Sequence, residues 1–289
     1  MVGVERTFGR RTFDFSASVA VMAIVNRTPD SFYDGGRTYA LDAAVAAAET
    51  ALAEGADWLD FGGVKAAPGT PVSPDEECRR VVPLIEAVRD RTDAVISVDT
   101  FSAEVAARAL DAGADVVNDT SALKDPAMAG IVGRAGAGLV LMHNPDPPRT
   151  HNPRPVYGDV VADVAAWLMA RADEAIAAGI APDRIVIDPG HDFAKTTAHS
   201  LEITRRLGEL TGLGYPVMVA LSRKDFIGET LGLPPGERLE GSLAALAASV
   251  TAGAAIVRVH DVRASVRAAR MTEAILGRRA PLAPKRGLD

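Results

Sequence analysis

Short apolar runs recur along the chain, and each run ends in a polar residue. In the run Ile185-Val186-Ile187, β-branched side chains predict a short buried strand, and the following Asp188-Pro189-Gly190 predicts where it stops. Seven other segments follow the same pattern and begin near Val19, Trp58, Val95, Val116, Leu139, Val217 and Ile256. Because these runs are largely apolar rather than alternating, they indicate parallel strands covered on both faces.

Alanine-rich segments with helical character separate these predicted strands, for example residues 40–53, 103–110 and 239–251. A glycine such as Gly113 or Gly253 stands where a helix C-cap is expected. Eight β-α units predict an α/β protein with the (β/α)8 TIM barrel fold in a single domain, residues 1–278, followed by a disordered tail, residues 279–289. An open doubly wound sheet is the alternative, but no glycine-rich dinucleotide motif follows the first strand.

Composition restricts the class of protein further. With 289 residues, 48% of them hydrophobic, the chain can bury one large core. A net charge of -7 and the lack of a long basic run argue against nucleic acid as a partner. No apolar run approaches the ~20 residues needed to span a bilayer. The single Cys78 permits no intrachain disulfide, so a cytoplasmic protein without a membrane partner is expected.

Polar residues at the ends of the predicted strands would meet on one rim, because parallel strands of a barrel share their carboxyl ends. These residues are Asn26, Asp60, Asp99, Asn118, His143, Asp188, Ser222 with Lys224, and Arg258 with His260. Any one of them has an equally good structural explanation as a helix cap or turn residue. Their coincidence at every strand favours a binding site.

The residue types suggest a pocket with two ends. Carboxylate and amide groups at Asp99, Asn118 and Asp188 suit a planar heterocycle with N–H donors. Lys224, Arg258 and His260 offer cationic or donor groups, and the Arg and His among them suit a phosphate or pyrophosphate. Asn26 supplies an oxygen suited to a hard cation such as Mg2+, and the loop that follows, residues 27–36, is a candidate lid. The spacing of His191, Asp192 and His199 is too irregular to indicate a transition-metal site.

These motifs resemble those of the dihydropteroate synthase family along nearly the whole chain, from Val21 to Val262. The matching stretches are Asn26-x-Thr28-Pro29-Asp30-Ser31-Phe32, Asp34-Gly35-Gly36, Gly62-Gly63, Ser97-Val98-Asp99-Thr100, Asn118-Asp119, Met142-His143, Asp188-Pro189-Gly190, Phe193-x-Lys195-Thr196, Ser222-Arg223-Lys224 and Arg258-Val259-His260-Asp261. The resemblance implies a pterin-binding TIM barrel that condenses 6-hydroxymethyl-7,8-dihydropterin pyrophosphate with 4-aminobenzoate to dihydropteroate in folate biosynthesis. It also implies Mg2+ as cofactor and a homodimer.

The resemblance assigns a role to each matching residue. Asp99, Asn118, Asp188 and Lys224 would bind the pterin; Asn26, Arg258 and His260 would hold pyrophosphate, with Asn26 also reaching Mg2+; and Phe193 and Ser222 would contact aminobenzoate. Lys224, Arg258 and His260 would be catalytic. No covalent intermediate is implied, because the aromatic amine attacks the pterin methylene directly as pyrophosphate leaves.

The second loop departs from the family. Where the family has Gly-Gly-Glu-Ser-Thr-Arg-Pro-Gly, this chain has Gly62-Gly63-Val64-Lys65-Ala66-Ala67-Pro68-Gly69, as in a divergent actinobacterial paralogue type. A lost charge-assisted contact usually costs about 1.5–3 kcal/mol, so the Thr and Arg replaced by alanine put turnover in question. The alternative hypothesis is therefore a protein that binds a pterin without synthase activity.

Two further departures concern charge. Lys65 or Arg27 is a candidate replacement for the lost arginine, and Asp225, if it pointed inward, would repel a benzoate carboxylate. A third hypothesis is a methyltetrahydrofolate-binding methyltransferase barrel. That class is not expected to combine the Asn26 loop with the Arg258-Val259-His260-Asp261 motif.

Overall fold

Strands and helices alternate along the chain in a computed structural model that describes residues 5–28, 40–65, 69–150 and 154–286. The strands are β1 (Glu5–Phe8), β2 (Arg11–Asp14), β3 (Ala20–Asn26), β4 (Trp58–Gly62), β5 (Val95–Asp99), β6 (Val116–Asp119), β7 (Gly138–Met142), β8 (Ile185–Asp188), β9 (Met218–Ala220) and β10 (Ile256–Val259). The α-helices are α1 (Leu41–Ala53), α2 (Pro74–Arg89), α3 (Ala103–Asp111), α4 (Met128–Ala135), α5 (Val160–Ala177), α6 (Thr197–Arg205), α7 (Leu207–Thr211), α8 (Asp225–Leu231), α9 (Leu239–Thr251) and α10 (Val262–Ile275).

Strands β3 to β10 form a closed parallel barrel. Their order is β8-β7-β6-β5-β4-β3-β10-β9, and a parallel bridge from Ile187 to Val217 joins the two ends of that sheet. The predicted (β/α)8 barrel is therefore confirmed. Among the described helices, none combines the length and apolar character that a membrane span requires. The last helix ends at Ile275, just before the predicted tail.

The barrel strands bury both faces, and the two faces have different neighbours. Residues facing outward pack beneath the helices, including Val21, Leu59, Ile96, Val117, Leu139, Ile187, Val219 and Val257. Residues facing the barrel axis form a second cluster that includes Met22, Trp58, Val95, Val116, Val140, Val186, Met218 and Ile256, which we call the lower inner layer. Continuous apolar runs are thus explained by burial on both sides.

The same inward-facing positions turn polar toward the carboxyl ends of the strands. Because side chains alternate with a period of two, a residue two or four positions further along a strand faces the axis as well. Asp60, Asn118, Asp188 and Arg258 each lie two residues after a member of the lower inner layer, and Asp99 lies four residues after Val95. We call these five residues the upper inner layer.

An amino-terminal hairpin, β1 and β2, closes the lower end of the barrel. Phe8 and Phe13 are buried against Trp58, with ring centroids 4.9 and 5.8 Å away. Gly9 begins the two-residue turn with φ 56°. The apolar pattern predicts a first strand that begins at Val19, so this hairpin was not predicted. The repeated Thr-Phe pairs on either side of Gly9-Arg10 are nevertheless a hairpin signal.

Candidate active site

Arg258 is the cation around which the acids of the upper inner layer gather. Its Nε lies 2.6 Å from Asp60 Oδ2, and its Nη2 lies 2.7 Å from Asp99 Oδ2. The Asp60 side chain is fully buried, whereas those of Asp99 and Arg258 keep 15% and 16% of their surface exposed. A buried carboxylate is stable only when it is paired or protonated, so the guanidinium holds the carboxyl ends of β4, β5 and β10 together.

Asn118 completes this cluster and leaves two acceptors unfilled. Its Nδ2 donates to Asp60 Oδ2 over 3.1 Å. Within the described ranges, the second oxygen of Asp60 and the amide oxygen of Asn118 are buried and have no hydrogen-bond donor. A buried acceptor without a donor costs about 1–3 kcal/mol. The cluster therefore carries more acceptor capacity than its own donors satisfy.

Burial controls the protonation of Asp99. It raises the pKa of Asp99 to about 7, Arg258 opposes that shift, and the neighbouring carboxyls of Asp60 and Glu77 add to it. A neighbouring carboxyl disfavours negative charge on Asp99, whereas the guanidinium favours it. Near neutral pH the site can therefore hold or release a proton at Asp99.

Asp188 both shapes a turn and faces the cluster. Its Oδ1 accepts a 2.7 Å bond from the Gly190 N–H, as expected for Asp before Pro-Gly. Gly190 has φ 65°, and a Cβ there would lie 2.2 Å from the His143 carbonyl oxygen, so only glycine fits. Burial raises the pKa of Asp188, and the charges of Lys224 and Arg258 oppose that shift. Asp188 therefore caps its turn and also belongs to the candidate site.

Lys224 stands on the same rim, beside Phe193. Its Nζ donates to the His191 carbonyl and lies 4.8 Å from the centroid of the Phe193 ring, within cation–π distance. Burial lowers the pKa of Lys224, while Asp192 and Asp188 oppose that shift. A cation and an aromatic face therefore adjoin the Asp188 carboxylate.

The remaining predicted residues lie at the ends of β3, β9 and β10. Ser222 Oγ accepts a 3.2 Å bond from the backbone N–H of His260, which ties two strand ends together. A Cβ on Gly62 would lie 2.6 Å from Asn26 Oδ1 and 3.8 Å from the Asp99 Cβ, so the Asn26 amide adjoins the acid cluster. A neutral oxygen next to carboxylates fits Mg2+, provided that substrate phosphates and water complete its shell.

His143 was expected on the rim, and this expectation is wrong. Its Nδ1 lies 2.9 Å from Lys195 Nζ, and its ring packs 4.8 Å from that of Trp167 on α5. The reason is strand alternation: Val140 faces the axis, so His143 faces the helices. Burial lowers the pKa of His143 to about 2 and that of Lys195 to about 7.

The two predicted ends of the pocket adjoin each other at Arg258. Arg258 was expected with His260 at the anion-binding end, yet its guanidinium contacts the acids Asp60 and Asp99. Asp60 has no predicted role in binding, and it makes contacts to both Arg258 and Asn118. The signal for it was available, since Asp60 lies two residues after the inward-facing Trp58.

The charged side chains of Asp225 and Arg27, both of which depart from the family, contact other parts of the protein. Asp225 is 75% exposed and pairs with Arg238 over 2.8 Å, so it does not point inward. Arg27 Nη1 donates to the carbonyls of Arg79 and Arg80 over 3.1 and 2.8 Å. Pro83 inside α2 has no N–H, which leaves the Arg79 carbonyl without its helical donor, and Arg27 supplies one.

Three residues of the β8–α6 region, whose spacing was too irregular to indicate a metal site, have structural partners. Asp192 Oδ2 accepts from the N–H groups of Asp225 and Phe226 at the start of α8. His199 forms a capping box with Thr196 at the start of α6. His191 Nε2 lies 3.1 Å from Thr204 Oγ1. The candidate lid from residue 29 onward and the loop residues Ala66 and Ala67 lie outside the described residues.

Comparison with known proteins places this geometry among pterin enzymes. Residues 22–260 match the family described as pterin binding enzyme. A Mycobacterium leprae (strain TN) protein named "Inactive dihydropteroate synthase 2" is 50% identical over 274 residues, covering 93% of this chain and 94% of its own. Dihydropteroate synthase of Bacillus subtilis (strain 168) is 42% identical over 266 residues, covering 91% of each chain. The structure of Xanthomonas albilineans dihydropteroate synthase with 4-aminobenzoic acid superposes with a TM-score of 0.87, at 42% identity, covering 94% of this chain and 98% of that chain.

Proposed function

The chain belongs to the family of pterin-binding enzymes that includes the dihydropteroate synthases, and we propose that it is a transferase of that type. It would condense 6-hydroxymethyl-7,8-dihydropterin pyrophosphate with 4-aminobenzoate, releasing pyrophosphate and forming dihydropteroate for folate biosynthesis. The B. subtilis relative and the X. albilineans structure bear the dihydropteroate synthase name, and the latter includes 4-aminobenzoic acid.

The observation that supports the proposal is the excess of acceptors in the upper inner layer. A pterin presents an amino group and ring N–H donors along one edge, and a carboxylate can receive two such donors in parallel. Asp99, Asn118 and Asp188 would receive this edge, and Lys224 would donate to the pterin carbonyl. The acceptors of Asp60 and Asn118 that lack donors elsewhere in the described chain favour a ligand with N–H groups.

The anion would be held on the Asn26 side of the cluster. Asn26 would hold Mg2+, which neutralises charge on the pyrophosphate when bound. Arg258 and His260 would donate to the pyrophosphate oxygens as negative charge develops on them, which stabilises the leaving group. Because Arg258 already pairs with Asp60 and Asp99, pterin N–H groups that engage those acids would turn part of its guanidinium toward the anion.

The second substrate would occupy the adjoining part of the rim. Ser222 would meet the carboxylate of 4-aminobenzoate, and Phe193 would pack on its ring. The aromatic amine would then attack the pterin methylene carbon, forming a C–N bond as the C–O bond to pyrophosphate breaks. The outward position of Asp225 removes one objection to this placement, because its charge is paired with Arg238.

A second candidate is a pterin-binding protein without synthase activity. Two observations favour it: Ala66 and Ala67 replace the Thr and Arg of the family loop, and relatives of 49–50% identity carry the name "Inactive dihydropteroate synthase 2". Such a protein would use the same pterin-binding residues and lack turnover.

One experiment separates the two candidates. Purified protein is incubated with pterin pyrophosphate, 4-aminobenzoate and Mg2+, and pyrophosphate release is measured. The synthase predicts saturable release that depends on Mg2+ and falls at least a hundredfold in Arg258→Ala, with Arg91→Ala, a surface arginine, as control. Tight binding of 6-hydroxymethylpterin without pyrophosphate release would select the second candidate.

We also propose that the protein is a cytoplasmic homodimer. The end of helix α10 and the C-cap residue after it expose Met271, Ile275 and Leu276 by 61%, 73% and 37%, an apolar strip that a second copy would cover. Light scattering should give twice the chain mass for the wild type and the single chain mass for Ile275→Glu. A monomeric wild type would rule out the dimer.

A further inference from the structure

One carboxyl oxygen of Asp60 receives two side chains of the upper inner layer. Its Oδ2 accepts from Arg258 Nε over 2.6 Å and from Asn118 Nδ2 over 3.1 Å, while the whole Asp60 side chain is buried. In the part of the chain that the structure describes, Asp60 is the one hydrogen-bond partner of the Asn118 amide. The way in which Asp60 holds this amide therefore decides what Asn118 offers to a ligand.

The register of the strands places Asp60 below the amide that it holds. Asp60 on β4 lies opposite Ser97 on β5, whereas Asn118 on β6 lies opposite Asp99, two residues nearer the carboxyl end of β5. Strands β4 and β6 flank β5, so the bond between the two side chains crosses the inward face of β5. Asp60 thus approaches the amide from the side of the lower inner layer.

The Asn118 amide has two orientations, which differ by a turn of 180° and exchange its oxygen with its NH2 group. A carboxyl oxygen that receives a guanidinium N–H is an acceptor, so an amide oxygen turned toward it would set two buried acceptors against each other. The Nδ2 of Asn118 therefore faces Asp60. Its Oδ1 is buried and has no donor among the described residues, so it remains an acceptor for a ligand.

Asn118 differs from the acids beside it because its hydrogen-bonding polarity can be reversed. An ionised carboxylate accepts hydrogen bonds in every orientation, whereas an amide offers an acceptor or a donor at a given place, depending on which way it is turned. An amide that is free to turn would accept a heterocycle with a carbonyl as readily as one with an N–H group. The bond to Asp60 holds the amide in one orientation and so disfavours the carbonyl.

We propose that Asp60 is a positioning residue: it holds the Asn118 amide with its oxygen toward the ligand and thereby makes the site selective for a heterocycle that presents an N–H donor there. The ligand class is a pterin, whose amino group and ring N–H supply donors, and not the corresponding dione. This inference rests on the proposed pterin site and adds the residue that sets the choice between donor and acceptor.

The test compares two ligands that differ in this pattern. In 6-hydroxymethyllumazine a carbonyl replaces the 2-amino group of 6-hydroxymethylpterin and the adjoining ring nitrogen carries a hydrogen, so donor and acceptor exchange places. Calorimetry on the full-length protein gives both dissociation constants, and the wild type should prefer the pterin roughly a hundredfold or more. Asp60→Leu, which has a similar size and no acceptor, should reduce this preference roughly tenfold or more, because the amide is then free to turn.

Two further variants separate orientation from packing and from direct contact. Asp60→Asn keeps one oxygen that can accept from both Arg258 and Asn118, so the preference should stay within about threefold of the wild type. Ser97→Ala is the matched control and should leave the preference unchanged, because Ser97 lies opposite Asp60 and its hydroxyl has no partner in the described chain. A preference lost in Asp60→Asn as completely as in Asp60→Leu would show that Asp60 contacts the ligand itself and would overturn the proposal.

Neutron diffraction of wild-type crystals tests the orientation without any substitution, because deuterium marks the amide nitrogen. We expect deuterium on the Asn118 atom that faces Asp60; an oxygen in that place would overturn the proposal. Equal losses of affinity for the two ligands in Asp60→Leu, or a wild type without preference between them, would overturn it as well. A wild type that binds neither ligand would instead contradict the proposed function.

Discussion

The lower and upper inner layers of the barrel are built on the same strands and differ in almost every physical property. Trp58, Val116, Val186 and Ile256 form an apolar floor, while the residues two positions further on, Asp60, Asn118, Asp188 and Arg258, form a charged cluster. The floor gains stability from burial, and the cluster keeps acceptors for which no donor exists elsewhere in the described chain. One step of the strand alternation therefore separates the part of the barrel interior that stabilises the fold from the part that can bind a ligand.

This difference predicts opposite responses to substitution. Changes in the lower layer should alter stability and leave the binding groups in place. Conservative Asp→Asn changes in the upper layer should alter binding and pH dependence with little loss of stability, whereas removal of Arg258 would leave two buried carboxyls without their partner and should also cost stability.

The largest expected effect is on stability, from Trp58→Ala. Trp58 is fully buried between the floor of the barrel and the hairpin residues Phe8 and Phe13, so the truncation should lower the free energy of unfolding by about 3–5 kcal/mol. Urea unfolding measures this. Trp167→Ala on α5, where the side chain is only partly buried, should cost clearly less; equal losses would contradict the special contribution of the barrel floor to stability.

Asp188→Asn is expected to change the free energy of pterin binding, by less than Trp58→Ala changes the free energy of unfolding. The substitution keeps an acceptor for the Gly190 N–H but removes the charge that would receive the pterin N–H edge. Affinity for 6-hydroxymethylpterin should fall roughly tenfold to a hundredfold, about 1.5–3 kcal/mol, without loss of stability. Asp173→Asn, on an exposed part of α5, is the control. Unchanged affinity would show that Asp188 only caps its turn.

The last expected effect is a change in pH slope rather than in a single free energy, from Asp99→Asn. Since the pKa of Asp99 rises from 3.8 to about 7 in the folded protein, the folded state binds more protons than the unfolded state between these values. The contribution of Asp99 to stability is therefore fully present below pH 3.8 and is lost as pH rises through 7, by up to about 1.4 kcal/mol per pH unit. Unfolding measured from pH 4 to 8 should show a flatter profile for Asp99→Asn, and exposed Asp111→Asn should behave like wild type. A profile for Asp99→Asn as steep as that of wild type would exclude Asp99 as the titrating group.

Much of the fold was predictable from local pattern. The β-branched runs predicted β5 and β8 with their observed bounds, and the alanine-rich run 239–251 predicted α9. The length and continuous apolar character of the runs were sufficient to predict the strands, because a parallel barrel buries both faces of each strand. The hairpin was not predicted because its two strands have only four residues each, so the alternating pattern is short and lies among charged residues.

The sequence predicted many of the residues that gather at the candidate site, but it did not predict which of their side chains contact one another. Asp99, Asn118 and Asp188 were predicted on one rim because each ends a parallel strand. The direction of each side chain, which decides its contacts, was not predicted. His143 faces α5, and Arg258 lies between two acids instead of at a separate anion end.

The most direct measurement is a crystal structure of the protein with 6-hydroxymethylpterin bound. We expect electron density for the heterocycle above the lower inner layer, with its N–H edge on Asp99, Asn118 and Asp188 and its carbonyl on Lys224. A pterin bound outside the barrel mouth, or with its N–H edge away from these acids, would contradict it.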